Sequence, residues 1–230
     1  GSDTFSGALS RNTGENVGTY AYTLGDLTAG DNYSLTLTSD IFEITKRPIT
    51  VIAVTDTKIY DGDMTAVGVP DITSGSLASG DTAVFSETYN NRNVGENKTL
   101  TPAVTSIVDS SSADMTGNYD VTLETADVGT ITAKTVNVTA QTDTKTYDGT
   151  TDSNVSPIVD PLASGDTITT QPTQIFDTKD VGIGKTLTPS GLVINNGNGG
   201  NNYTINYVDN NTGEITVKEL TVTADPQTKN

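Results

Sequence analysis

The chain repeats itself, and that constrains it more than any other feature. Thr55-Asp56-Thr57-Lys58-Ile59-Tyr60-Asp61-Gly62 returns as Thr142-Asp143-Thr144-Lys145-Thr146-Tyr147-Asp148-Gly149, 87 residues later. Leu77-Ala78-Ser79-Gly80-Asp81-Thr82 returns as Leu162-Ala163-Ser164-Gly165-Asp166-Thr167 after 85 residues. Val94-Gly95 with Lys98-Thr99-Leu100-Thr101-Pro102 returns as Val181-Gly182 with Lys185-Thr186-Leu187-Thr188-Pro189, and Asn118-Tyr119 returns as Asn202-Tyr203. Blocks in constant order at a near-constant offset mark tandem copies of one structural unit. The units are 46–132 and 133–216. They are preceded by the second half of another unit (1–45, with Asn16-Val17-Gly18 and Asn32-Tyr33). They are followed at 217–230 by the first strand of a further one, Lys218-Glu219-Leu220-Thr221-Val222-Thr223-Ala224.

Each unit reads as β-structure. Ile49, Val51 and Ala53 alternate with polar residues, as do Val136, Val138 and Ala140. A period of two with β-branched residues describes a half-buried strand. Further strands are expected at 83–87, 99–107, 119–123 and 129–133, with Gly, Asn, Asp and Ser between them. No segment has a period of 3.6 residues. Tyr60-Asp61-Gly62 and Tyr147-Asp148-Gly149 read as turns, in which Gly supplies positive φ and Asp bonds its own backbone. The Tyr ring is expected to plug the end of the unit with its hydroxyl in water. The fold class is therefore all-β: small Ig-like β-sandwich repeats in an elongated array. A β-grasp arrangement with one short helix is the alternative.

Composition removes whole classes of chemistry. The 230 residues contain no Cys, His or Trp. A thiol nucleophile, a Cys-based zinc site and a histidine general base are excluded, so the expectation is that the chain is not an enzyme. Hydrophobic residues are 33% of the chain, which on its own would fit disorder. The abundance of Thr, Val and Ile and the nine Tyr favour thin sheets instead. The net charge is −17, spread as −5, −7, −5 and 0 over the four segments. Such a polyanion suits neither nucleic acid nor anionic membrane.

Oxygen-rich loops raise calcium as a ligand, with Asp56, Asp61, Asp63, Asp143 and Asp148 as candidates. Turn chemistry accounts for the same residues, and no EF-hand spacing is present, so no cofactor is required. Asn195 to Asn202 is Gly-rich but lacks the Lys-Ser/Thr of a phosphate loop and reads as a polar hairpin connection, the counterpart of Asp109 to Asp114. Lys98 and Lys185 occupy matching positions where a Lys–Asn crosslink could be considered.

These motifs resemble the YDG and MBG repeat domains of large secreted bacterial adhesins, including filamentous-haemagglutinin-like proteins. The elements that carry the resemblance are Lys-x-x-hydrophobic-Thr-Val-x-Ala, Tyr-Asp-Gly, Ser-Gly-Asp-Thr, Val-Gly, Asn-Tyr and Gly-x-Ile-Thr. Residues 1–45 look like the MBG subtype and the two whole units like the YDG subtype. The resemblance implies an extracellular or cell-surface protein and supplies no catalytic residues. It implies a structural stalk or spacer of a surface or biofilm-matrix adhesin, holding a distal binding domain. The alternative is a repeat that binds glycan or matrix through exposed loops. Neighbouring repeats are the expected partners, with linkers so short that the units should lie in line, about 90–120 Å in all.

Overall fold

A computed structural model describes residues 4–38 and 40–229. Packing divides the chain into two compact units. One comprises 1–56, 65–90 and 97–129; the other comprises 57–64, 91–96 and 130–230. The Tyr60 turn and the 91–96 loop thus belong to the same unit as the second whole repeat.

The first repeat is built on the strand Arg47–Ile52. It pairs antiparallel with Asp71–Ser74 and parallel with Tyr119–Glu124, in register from Arg47↔Tyr119 to Ile52↔Glu124. A second sheet has the order Thr57–Ile59, Ala126–Thr132, Gly95–Val108, Thr82–Tyr89. The alternation in the sequence is what lets the sheets stack. Ile49 and Val51 of the first sheet and Ile107 of the second are buried in one core with Tyr119, and Phe85 and Val104 pack against it. Fully burying an aliphatic side chain of this size stabilises by about 1.5–3 kcal/mol, so a polar residue at Val51 would be among the most damaging single changes.

The second repeat repeats the topology. Lys134–Thr139 lies between Ile158–Val159 and Tyr203–Val208, again parallel to the latter, from Lys134↔Tyr203 to Thr139↔Val208. Thr144–Thr146, Asn210–Thr216, Gly182–Ser190 and Thr173–Phe176 form its second sheet. Ala140, Phe176, Leu187 and Ile215 close the core. One difference is visible in the sequence. The long hairpin 82–89/95–108 of the first repeat is split in the second, into 173–176/182–190 and a separate pair, Thr167–Thr170 with Val193–Asn195. Pro172 has no N–H to give a ladder, and Gly191 has φ +84°, so pairing is interrupted there on both strands.

Residues 1–45 contribute three antiparallel strands, Ser10–Arg11, Gly18–Thr23 and Ile41–Ile44. The fold is all-β, as the periodicity requires. The helix of the β-grasp alternative is not found: the described residues hold one 3-10 turn, Thr116–Asn118, and no α-helix. Residues 217–229 carry no strand, and Leu220 and Val222 are exposed. In both whole repeats the opening strand is held by a parallel partner about 70 residues further on.

Candidate functional site

The repeated Tyr-Asp-Gly block folds as a turn with a lysine at its centre. Gly62 and Gly149 have φ of +94° and +86°, the conformation for which the turn needs glycine. Asp61 Oδ1 accepts the N–H of Asp63, and Asp148 Oδ1 accepts that of Thr150. Lys58 Nζ bonds to Asp61 at 2.8 Å and to Asp63 at 2.7 Å. Lys145 Nζ bonds to Asp148 at 3.0 Å, to both oxygens of Thr150, and to the carbonyl of Asp152 at 2.8 Å. A side-chain ammonium thus sits among the oxygens of each turn. Burial lowers the Lys58 pKa, but Asp61 and Asp63 outweigh it and the ammonium titrates above its usual range. Asp148 is held down to about 2, first by the Thr150 N–H and then by Lys145.

Of the calcium candidates, the fold brings Asp61 and Asp63 together on Lys58 and leaves Asp148 alone on Lys145. Asp56 and Asp143 lie elsewhere, both buried. Tyr89 donates to Asp56 at 2.7 Å, whereas Asp143 takes Ser153 Oγ at 2.7 Å and the Asn154 N–H at 3.0 Å. Among the described residues no group of three or more Asp or Glu is placed to hold a metal. Lys185 bonds to Thr178 and lies 3.7 Å from Asp177, an acid where the first repeat has Asn90.

The blocks whose role the sequence left open meet in a clasp. In the second unit, Asn202 is fully buried. Its Oδ1 accepts the Val94 N–H at 3.0 Å and its Nδ2 donates to Asn93 Oδ1 at 3.2 Å. Beside it, Asp166 Oδ2 accepts the hydroxyls of Tyr60 at 2.9 Å and Tyr203 at 2.7 Å, while Tyr203 Oη accepts the Ala163 N–H. The two rings meet edge to face, centroids 5.4 Å apart. Arg92 Nη2 pairs with Asp166 Oδ1 at 3.2 Å and donates to the Asn196 carbonyl at 3.0 Å. Burial, with the Asp166 carboxylate close by, pushes both phenols above their usual range. The expectation that the Tyr60 hydroxyl stays in water is therefore corrected. Its ring is 1% exposed and its hydroxyl is spent on Asp166, which comes from the repeated Ser-Gly-Asp block. Gly62 has a second reason to be glycine, since a Cβ there would lie 2.5 Å from the Ser164 carbonyl oxygen.

The first unit holds the same clasp in other residues. Asn118 Oδ1 accepts the Val17 N–H at 2.8 Å and its Nδ2 donates to Asn16 Oδ1 at 2.9 Å. Tyr119 donates to Asp81 at 2.6 Å and accepts from the Ala78 N–H. One part differs: Glu15 stands where the second clasp has Arg92. A cavity of about 500 Å³ is lined among others by Glu15, Arg47, Asp81 and Tyr119. The clasp was missed at the level of sequence, although its members are the repeated blocks themselves. The signal available was that Val-Gly and Asn-Tyr recur together.

Comparison with known families matches the YDG domain twice, over residues 45–128 and 132–213. It matches the MBG domain of YGX type over residues 1–43. Neither curated proteins nor solved structures returned a match. The Tyr-Asp-Gly turns and the clasp blocks fall inside the matched segments, and the chain belongs to the YDG domain family, with two YDG domains following an MBG-type segment.

Proposed function

We propose that this chain is a spacer segment of a bacterial surface or biofilm-matrix adhesin, extracellular and without catalytic activity. Its work would be to hold a distal binding domain away from its anchor. The observation that carries this reading is the duplicated clasp. The most strongly repeated polar residues are used to bond backbone and buried side chains of the chain itself. A residue that recurs for ligand binding would be expected to face solvent, whereas Asn202 and the Asp166 carboxylate are both fully buried. Strand junctions support it as well. One residue, Ala133, separates the last strand of the first repeat from the first strand of the second.

Small-angle scattering tests the reading. A spacer with such short connections should be elongated, with a maximum dimension of about 90–120 Å. The double variant Asn118→Ala, Asn202→Ala should keep its β-sheet signal in circular dichroism and broaden the distance distribution. A maximum dimension of about 60 Å for the unaltered chain, which size scaling gives to one packed body, would overturn the spacer reading. Saturable binding of a matrix glycan in the absence of any other domain would favour the repeat as a binding module.

A further inference from the structure

The loop that follows Asn195 contains the two Asn-Gly steps of the chain, Asn196-Gly197 and Asn198-Gly199. They are not equivalent. Asn196 is 1% exposed, and its Oδ1 accepts two backbone N–H groups, from Asn198 at 2.9 Å and from Gly200 at 3.0 Å. Its Nδ2 is buried and has no hydrogen-bond partner among the described residues. A buried donor left without an acceptor is a standing cost. The first repeat carries an acid at this place. Asp109, 87 residues earlier, occupies the corresponding position, and its Oδ1 accepts the N–H groups of Ser111 at 2.8 Å and Ala113 at 2.9 Å. The same two-donor cradle therefore holds a carboxylate in one repeat and an amide in the next.

We propose that Asn196 is a self-processing site, at which spontaneous deamidation converts the side chain to aspartate and brings the second repeat to the chemistry of the first. The backbone nitrogen of Gly197 gives up its proton to solvent base and bonds to Cγ of Asn196. The electron pair of the C=O moves onto Oδ1, which the two N–H groups already hold as an oxyanion hole would. Collapse breaks the Cγ–Nδ2 bond, and the nitrogen leaves as ammonia with a proton from solvent. The ring formed is a succinimide. Water then adds at Cγ, the bond to the Gly197 nitrogen breaks, and that nitrogen recovers its proton. In sum, one asparagine and one water give one aspartate and one ammonia.

Local features favour this step. Gly197 has no Cβ to shield its nitrogen and sits at φ +73°, open to solvent. The leaving amide nitrogen breaks no hydrogen bond. In contrast, Asn198 Nδ2 is tied to Asn202 Oδ1 at 2.9 Å, inside the clasp. An aspartate keeps both N–H bonds and loses the orphan donor, and Arg92 already donates to the residue's own carbonyl.

Peptide mapping by mass spectrometry tests the proposal on the whole chain, aged in mildly alkaline buffer. The mass gain of an amide-to-acid exchange should build up at Asn196 on the order of tenfold faster than in a synthetic peptide of the same loop, as expected for two held oxyanion donors. It should outpace Asn198, and the product should be aspartate by fragmentation. Gly197→Ala should slow it, and Asn196→Asp should fold with a melting temperature at or above that of the unaltered chain. A rate at Asn196 equal to or below that of the free peptide, faster conversion at Asn198, isoaspartate as the main product, or a lower melting temperature for Asn196→Asp would each overturn it.

Discussion

The two YDG domains solve one buried problem with different atoms. In the second, Gln174 is 2% exposed; its Oε1 accepts the Gln141 N–H at 2.8 Å, and its Nε2 donates to the Gln141 carbonyl at 2.8 Å and to Ser153 Oγ at 3.0 Å. In the first, 87 residues earlier, Glu87 is 1% exposed. Its Oε2 accepts the Val54 N–H at 2.9 Å, and its Oε1 is buried without a partner among the described residues. Oε1 is also crowded, since a Cβ on Gly68 would stand 2.2 Å from it. The position calls for one acceptor and one donor facing the N–H and C=O of a single residue. An amide supplies both, and a carboxyl group does so only when it carries its proton.

The neighbouring acid is handled in the same way by exchange. Asp56 and Asp143 are the same buried position. Tyr89 satisfies the first, and the second is satisfied by Ser153, because the residue matching Tyr89 is Phe176. The lesson is that the fold fixes the hydrogen-bond demand at each buried site and leaves open which side chain meets it. Burial pushes the Glu87 carboxyl up from the ordinary carboxylate range, and the charge of Asp56 adds to this against the opposing Val54 N–H.

The sharpest test makes the second domain resemble the first. Gln174→Glu removes both donations and places a charge in a site built for an amide. It should destabilise the second domain by about 2–4 kcal/mol at neutral pH, read by hydrogen exchange of the Lys134–Thr139 strand. Protection equal to that of the unaltered chain would break the comparison.

The converse change is smaller. Glu87→Gln should stabilise the first domain at neutral pH by about 1–2 kcal/mol, through a donation to the Val54 carbonyl that copies Gln174. The pH dependence carries the sign. A carboxyl group whose folded pKa is raised binds its proton more tightly folded than unfolded. The unaltered first domain therefore gains stability as pH falls through that raised pKa to the unfolded value, and loses it as pH rises through the same window. In Glu87→Gln this slope should vanish from exchange protection of the Arg47–Ile52 strand.

Smaller again is the difference between the two turns. Asp148, drawn down to about 2, supports the second domain above the ordinary carboxylate range and loses that support as pH falls from there toward 2. Asp148→Asn should remove this part of the acid transition, which thermal melts across the acid range check. The smallest effect expected is none: because Lys58 and Lys145 fill the two turns, adding calcium or a chelator should not move either domain's melting temperature. A calcium-dependent rise would mean that the acidic surface binds the ion elsewhere.

The sequence by itself determined the period, the buried face of each repeat's opening strand and the Tyr-Asp-Gly turns. All of these are local or self-referential: Ile49, Val51 and Ala53 alternate within a few residues, and Gly62 and Gly149 follow Asp in a turn whose geometry is set by four residues. It also placed the clasp blocks in every copy. Only the tertiary structure decided what those blocks touch. Val94 and Asn202 are 108 residues apart, and a motif that recurs at fixed spacing has the same spacing whether it pairs within its own copy or with the next. The same limit hid the meaning of Glu87 and Asn196. A carboxylate and an amide are nearly alike in a linear pattern and differ only once burial removes water, when each oxygen and each N–H must find a partner in the protein.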